Sequence, residues 1–187
     1  MRRYEVLQSI FDLIRNEIVV CNIGIPSQEL YHIEDRDNFF YMLGSMGLCS
    51  SIALGISLGT QKNVLAIEGD GSIFMNLGSI VTIANNAPAN FNMLIIDNGA
   101  YGSTGNQPTY TQGNTSIAEI AYGAGLRNIQ QCEGEHTEKA IQNCLNDTLN
   151  PGLIVSKVAP GNAKVDPIPL NPVLIKHRFK KNLSSNN

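Results

Sequence analysis

Charge is what this chain has least of. Acidic and basic side chains make up 16% of its 187 residues, against roughly 25% in an average soluble domain. The 13 Lys and Arg and 16 Asp and Glu leave a net charge of -3, so the basic footprint of a nucleic-acid binder is absent. With 43% apolar residues the chain is also far from the composition of a disordered segment. A monomer stays in solution through its charged surface, so the deficit points to surface covered by other chains. No Lys or Arg occurs between Asn63 and Leu126, and an anion held in that stretch must rely on a metal and on backbone dipoles.

Paired cysteines are missing as well. Cys21, Cys49, Cys132 and Cys144 are scattered, with no C-x-x-C pair. That argues against a spelled-out zinc or iron–sulfur site and suits a reducing cytoplasm. Met1-Arg2-Arg3-Tyr4-Glu5 opens a mixed amphipathic stretch rather than an apolar signal core, so no secretory leader is expected. Residues 38–61 are uncharged but are broken by glycines, serines, Asn38 and Gln61, too polar for a lipid-facing helix. The expectation is a soluble, cytoplasmic protein that touches neither membrane nor nucleic acid.

What the chain does have is alternation. Val6, Leu7, Ile10, Phe11 and Ile14 fall at helical spacing over residues 3–16, and Ile18–Cys21 reads as a buried strand. Ser27 is placed to cap a short helix through Glu29, Leu30 and Tyr31. Strands are expected at 38–42, 63–67, 92–96, 128–131 and 153–158, with helices near 48–58, 75–85, 117–122 and 137–149. Ser51, Gly55 and Gly59 share one helix face, a surface another backbone can approach closely. Such alternation predicts an α/β fold, a parallel sheet with helices on both faces, over residues 1–160. Residues 161–187, rich in proline and ending in Ser184-Ser185-Asn186-Asn187, read as a C-terminal tail packed on the surface.

Ile67-Glu68-Gly69-Asp70-Gly71-Ser72 falls between a strand and a helix, at the carboxyl end of a strand, where parallel sheets bind ligands. Glycines beside Asp70 permit a tight turn and close backbone approach. N–H groups opening the next helix favour an anion, and Ser72 adds a hydroxyl. Asp70 would repel a phosphate, and a divalent metal bridging the two resolves the conflict. One crossover later comes Ile95-Ile96-Asp97-Asn98-Gly99-Ala100-Tyr101-Gly102, which emerges at the same sheet edge and offers more oxygen ligands. Alone, Gly-Asp-Gly reads as a turn. Its partner at the next strand end changes that reading.

Gly69-Asp70-Gly71-Ser72 followed by Asp97-Asn98-Gly99 resembles the signature of the thiamine-diphosphate enzymes, which begins with G-D-G and ends with N-N. Asp97 stands where that signature has its first Asn; Asn98 matches the second. The resemblance implies Mg²⁺ on Asp70, Asn98 and the main-chain oxygen of Ala100, with Gly69, Gly71, Ser72 and Tyr101 around the diphosphate. Leu43-Gly44-Ser45-Met46-Gly47 resembles the G-x-M-G turn of these enzymes. It implies a Gly44 carbonyl that accepts from the aminopyrimidine, with Ser45 beside it and Met46 wedged beneath the cofactor. Met46 taken by itself reads as core packing.

The same resemblance leaves one part missing. Thiamine catalysis needs a glutamate at the pyrimidine N1', which the family carries on a separate pyrimidine-binding domain for which these residues leave no room. The catalytic residue is therefore expected on an α subunit, in a hetero-oligomer acting on a small anionic 2-oxoacid. The runs 44–55 and 97–107, with Ser27-Gln28-Glu29-Leu30-Tyr31, closely resemble the sulfopyruvate and phosphonopyruvate decarboxylases, although Gln28 replaces their Arg. A stand-alone diphosphate-binding chain resembles the β subunit of the split form from the coenzyme M pathway, a carboxy-lyase. Phosphonopyruvate decarboxylation is the nearest alternative. An acetolactate synthase-like chain, a 2-oxoacid:ferredoxin oxidoreductase β chain and a non-catalytic partner follow.

Overall fold

In the computed structural model, which describes residues 1–184, the first half of the chain runs α1 (Arg3–Ile10), β1 (Ile18–Cys21), α2 (Ile25–Ile33), β2 (Phe39–Tyr41), α3 (Cys49–Ser57), β3 (Val64–Gly69), α4 (Asp70–Ile73) and α5 (Gly78–Asn86). The second half runs β4 (Phe91–Asp97), the hairpin strands β5 (Ala100–Tyr101) and β6 (Gln107–Pro108), α6 (Ile117–Ala124), β7 (Asn128–Glu133), α7 (Thr137–Asn146), β8 (Gly152–Lys157) and α8 (Pro172–Ser184). Six strands form one parallel sheet in the order β2-β1-β3-β4-β8-β7.

The central strands are apolar throughout because both of their faces are covered. Leu65 and Ile67 of β3 and Leu94 and Ile96 of β4 turn toward α1, α2 and α7, where they meet Leu7, Leu30 and Ile141. Val64, Ala66, Met93 and Ile95 turn the other way, toward Ala53, Ile80 and Ala121 of α3, α5 and α6. The period of two sorts each strand between the two cores. The parallel sheet with helices on both faces is thus as the alternation implies. No described helix is long and apolar enough to cross a membrane.

Several boundaries differ from the sequence reading, each for a physical reason. α1 stops at Ile10, yet Phe11 and Ile14 are still buried from the turns that follow, so their spacing reported burial rather than helix. α2 begins at Ile25 with Pro26 in its first turn, and Ser27 sits inside it, its Oγ donating to the Asn22 and Cys21 carbonyls at 2.7 and 3.2 Å. The helix expected from Met75 starts earlier, as α4 directly on the end of β3. Ser51 and Gly55 lie exposed, and no described residue comes within 4 Å of a Cβ built on Gly55.

Residues 161–187 were expected as a tail over the surface, and within them Pro172–Ser184 form α8; residues 185–187 lie outside the described residues. The helix covers the free edge of β2, an edge that would otherwise offer unpaired backbone groups. It contributes to both cores: Ile175 joins the α1 side and Phe179 the α3 side. The Phe179 ring lies 5.2 Å from that of Phe40, and Arg178 bonds both oxygens of Asp35. We expect Phe179→Ala to lower the unfolding free energy in urea by about 3 kcal/mol. Val173→Ala, on the exposed side of the helix, should change it by under about 0.5 kcal/mol.

Candidate functional site

β3 and β4 pair in register, Gly69 opposite Ile96, so the residues after them leave the sheet side by side. Asp70 is 1% exposed. Its Oδ2 accepts from the hydroxyls of Thr109 and Thr111 at 2.5 and 3.2 Å. The Thr111 hydroxyl also lies 2.7 Å from Oδ1 of Asp97, which accepts the Gly99 N–H. Burial pushes the Asp70 carboxyl above its usual range; the Thr109 hydrogen bond opposes that shift and the neighbouring Asp97 adds to it. Two carboxylates this close need shared donors or a cation between them. Asn98 is 7% exposed and holds the Ala100 N–H on its own Oδ1 at 3.3 Å.

The turn after β2 is tied to the same edge. Ser45 and Gly47 both take positive φ, 61° and 90°, and a Cβ on Gly47 would stand 2.9 Å from that of Met75. The Gly47 N–H donates to Ser72 Oγ at 3.0 Å, and that hydroxyl donates to Asn22 Oδ1 at 3.1 Å. One serine thus links the exits of β1, β2 and β3. Beneath it Glu68, 1% exposed, accepts the Ser50 N–H near the start of α3 at 3.1 Å, and burial raises its pKa.

A pocket enclosing about 140 Å³ opens at this edge, smaller than the roughly 300 Å³ at which ordinary ligand pockets begin. Met46, Gly69, Asp70, Gly71 and Ser72 line it, together with Asn98, Ala100 and Tyr101. Gly44 and Ser45 do not. They lie exposed on the outer side of their turn.

The sequence reading missed the wall formed by Asn22, Gly24 and Pro26, and also Arg3 and Asn162. The Gly-Pro turn after a buried strand was visible, but only the sheet order sets β1 beside β3. Nothing in the sequence signalled Arg3. It corrects the expectation that an anion here finds no cationic side chain. Thr109 and Thr111 were hidden in a long polar loop.

The residues present fit a hard divalent ion. Asp70 supplies a buried carboxylate at the pocket, Asn98 and the Ala100 carbonyl add neutral oxygens, and such a set suits Mg²⁺. Among the described residues no group of three or more His, Cys, Asp or Glu gathers, so an ion here draws on amide and main-chain oxygens beside Asp70. Gly71 also fits a close approach: a Cβ there would meet Tyr101 Cε1 at 2.5 Å. We expect Gly71→Ala to cost about 1–3 kcal/mol by overpacking. In a Tyr101→Ala background most of that cost should vanish, as read from paired thermal unfolding curves.

Residues 21–155 match the family described as thiamine pyrophosphate enzyme, C-terminal TPP binding domain. The chain is 49% identical over 179 residues to the sulfopyruvate decarboxylase subunit beta of Methanocaldococcus jannaschii, covering 95% of each. It is 36% identical over 183 residues to the sulfopyruvate decarboxylase of Methanosarcina acetivorans, a match that takes in 98% of this chain and 47% of that one. Among solved structures, a 2-oxoglutarate:ferredoxin oxidoreductase from Magnetococcus marinus superposes with a TM-score of 0.72 at 16% identity, over 89% of this chain and 64% of that chain. That likeness is one of fold. The family match, the two relatives and the paired strand ends together place the chain among the thiamine pyrophosphate enzymes, in the family of sulfopyruvate decarboxylase β subunits.

Proposed function

We propose that this chain is the diphosphate-binding subunit of a thiamine-diphosphate-dependent decarboxylase. It converts 3-sulfopyruvate to sulfoacetaldehyde and CO₂, the step that belongs to coenzyme M formation. The observation that carries this reading is the convergence of the Gly69–Ser72 turn, Asn98 and Met46 on one pocket. Names of relatives supply the substrate; the pocket supplies the cofactor.

Asp70 Oδ1, the Asn98 side chain and the Ala100 carbonyl would hold Mg²⁺, with Gly69, Gly71 and Ser72 meeting the diphosphate. Met46, 38% exposed at the rim, would wedge beneath the cofactor, and the carbonyl of exposed Gly44 would meet its aminopyrimidine beside Ser45. Tyr101, packed against Gly71, closes one wall to water. Bound thiamine diphosphate supplies a nucleophilic ring carbon and an electron sink for the bond to CO₂.

This chain's residues bind and orient, and the proton chemistry at N1' comes from elsewhere. Asp70 is the only carboxylate among the residues lining the pocket, and it serves the metal. Glu68 is turned away toward α3. A partner subunit with the pyrimidine-binding domain would bring the activating glutamate. Three observations support that partner: the small pocket, exposed Leu43, Leu48 and Met75 near it in sequence, and the single-chain relative about twice this length.

Asp70→Ala should weaken Mg²⁺-dependent thiamine-diphosphate binding at least about tenfold, roughly 1.4 kcal/mol, in calorimetric titration. Asn98→Ala should do likewise, and the double variant should lose less than the sum because both act through one ion. Unchanged affinity in both variants would remove the site. The pure chain should not decarboxylate sulfopyruvate even with saturating cofactor and Mg²⁺. Turnover should appear on adding a pyrimidine-domain subunit and disappear when that subunit's glutamate is replaced. Phosphonopyruvate, assayed in parallel, should turn over more slowly.

A further inference from the structure

The cation absent from residues 63–126 arrives from the far end of the chain. Among the residues lining the pocket, Arg3 is the only cation and Asp70 the only anion. Arg3 sits in the first turn of α1 and is 7% exposed. Its Nε and Nη2 clasp the two oxygens of Glu29 at 2.6 and 3.1 Å, and Nη2 also donates to Asn162 Oδ1 at 2.9 Å. Asn162 in turn donates from Nδ2 to the Gly102 carbonyl at 2.9 Å, in the loop that carries Asn98 and Ala100. Glu29 is fully buried and receives the Ala163 N–H as well.

Among the described residues, every hydrogen bond of this guanidinium leaves from Nε or Nη2, and Nη1 has no acceptor. A guanidinium is planar, so clasping Glu29 sets the direction of Nη1 as well. A buried ion pair is a weak means of stabilising a fold, and this one stands in the wall of a pocket. A diphosphate carries more negative charge than one Mg²⁺ cancels, and Asp70 adds another. We infer that Arg3 binds the terminal phosphate of the cofactor's diphosphate through Nη1, with Glu29 and Asn162 as the residues that position it. The inference rests on the diphosphate-binding reading above and adds to it a side chain from outside the two signature segments.

The test uses the complex with the partner subunit, freed of cofactor, and calorimetric titration with thiamine diphosphate, thiamine monophosphate and inorganic pyrophosphate in Mg²⁺. Arg3→Met alone strands the buried Glu29 charge, so the informative variant is Arg3→Met with Glu29→Gln, its fold checked by thermal unfolding. It should bind thiamine diphosphate and pyrophosphate about tenfold more weakly and thiamine monophosphate unchanged. Glu29→Gln alone keeps the cation and one acceptor oxygen for it but loosens the clasp, and should bind the diphosphate with an affinity between wild type and the double variant. A purely structural pair would affect the three ligands alike, thiamine monophosphate included. That result, or diphosphate affinity within twofold of wild type in the double variant, overturns the inference. A raised substrate KM with unchanged diphosphate affinity also overturns it, and assigns Arg3 to the substrate's anionic head group. If the wild-type complex takes up no thiamine diphosphate, it is the proposed function that falls.

Discussion

The pairing of β3 with β4 is the constraint on which the rest of the molecule depends. Two parallel strands in register deliver Asp70 and Asp97–Asn98 to the same edge at the same height. A carboxylate beside a carboxylate is unstable without something to share. Thr109 and Thr111 supply hydroxyls from the following loop, and a hard cation would supply the rest. A slip of one residue would offset Asp70 from Asp97 and turn every side chain of one strand to the other face of the sheet, because side chains alternate along a strand. The double core prevents it, since slipping would also exchange Leu65 and Ile67 with Val64 and Ala66 between two differently shaped layers.

Around that edge the structure trades stability for access. Asp70 and Glu68 are buried carboxyls with raised pKa, costly unless hydrogen bonds or an ion compensate. Ser45 is held at positive φ, and Gly47 and Gly71 leave no room for a Cβ. Strain and close approach cluster where three strand exits meet. The interior has its own close approach, where a Cβ on Gly152 would stand 2.7 Å from that of Cys144, so a tight glycine by itself does not mark the ligand site.

The proposed partner subunit would account for both the low charged fraction and the partly formed pocket. Surface that another chain covers needs no charge, and a pocket finished by another chain need not be closed by this one. Leu43, Met46, Leu48 and Met75 stay exposed among residues that carry no charge. The C-terminal helix resolves a different exposure, at the β2 edge, from within the chain.

The sequence by itself determined the α/β class, the strand runs and the residues of two strand-end motifs, because period and turn chemistry are local. The family resemblance of residues 44–47, 69–72 and 97–99 added the expectation of an activating glutamate on a partner subunit. Helix ends were less legible: Phe11 and Ile14 carry the helical spacing without the helix, since burial alone sets apolar positions. α8 was hidden because its two core side chains, Ile175 and Phe179, stand among charged residues after a proline-rich stretch. Only the tertiary structure decided that Asn22, Arg3 and Asn162 join Asp70 at one pocket. Each is far from Asp70 in the chain, and no local rule states which strands become neighbours or which helix reaches across an edge. Sheet order follows from how the two cores pack as a whole.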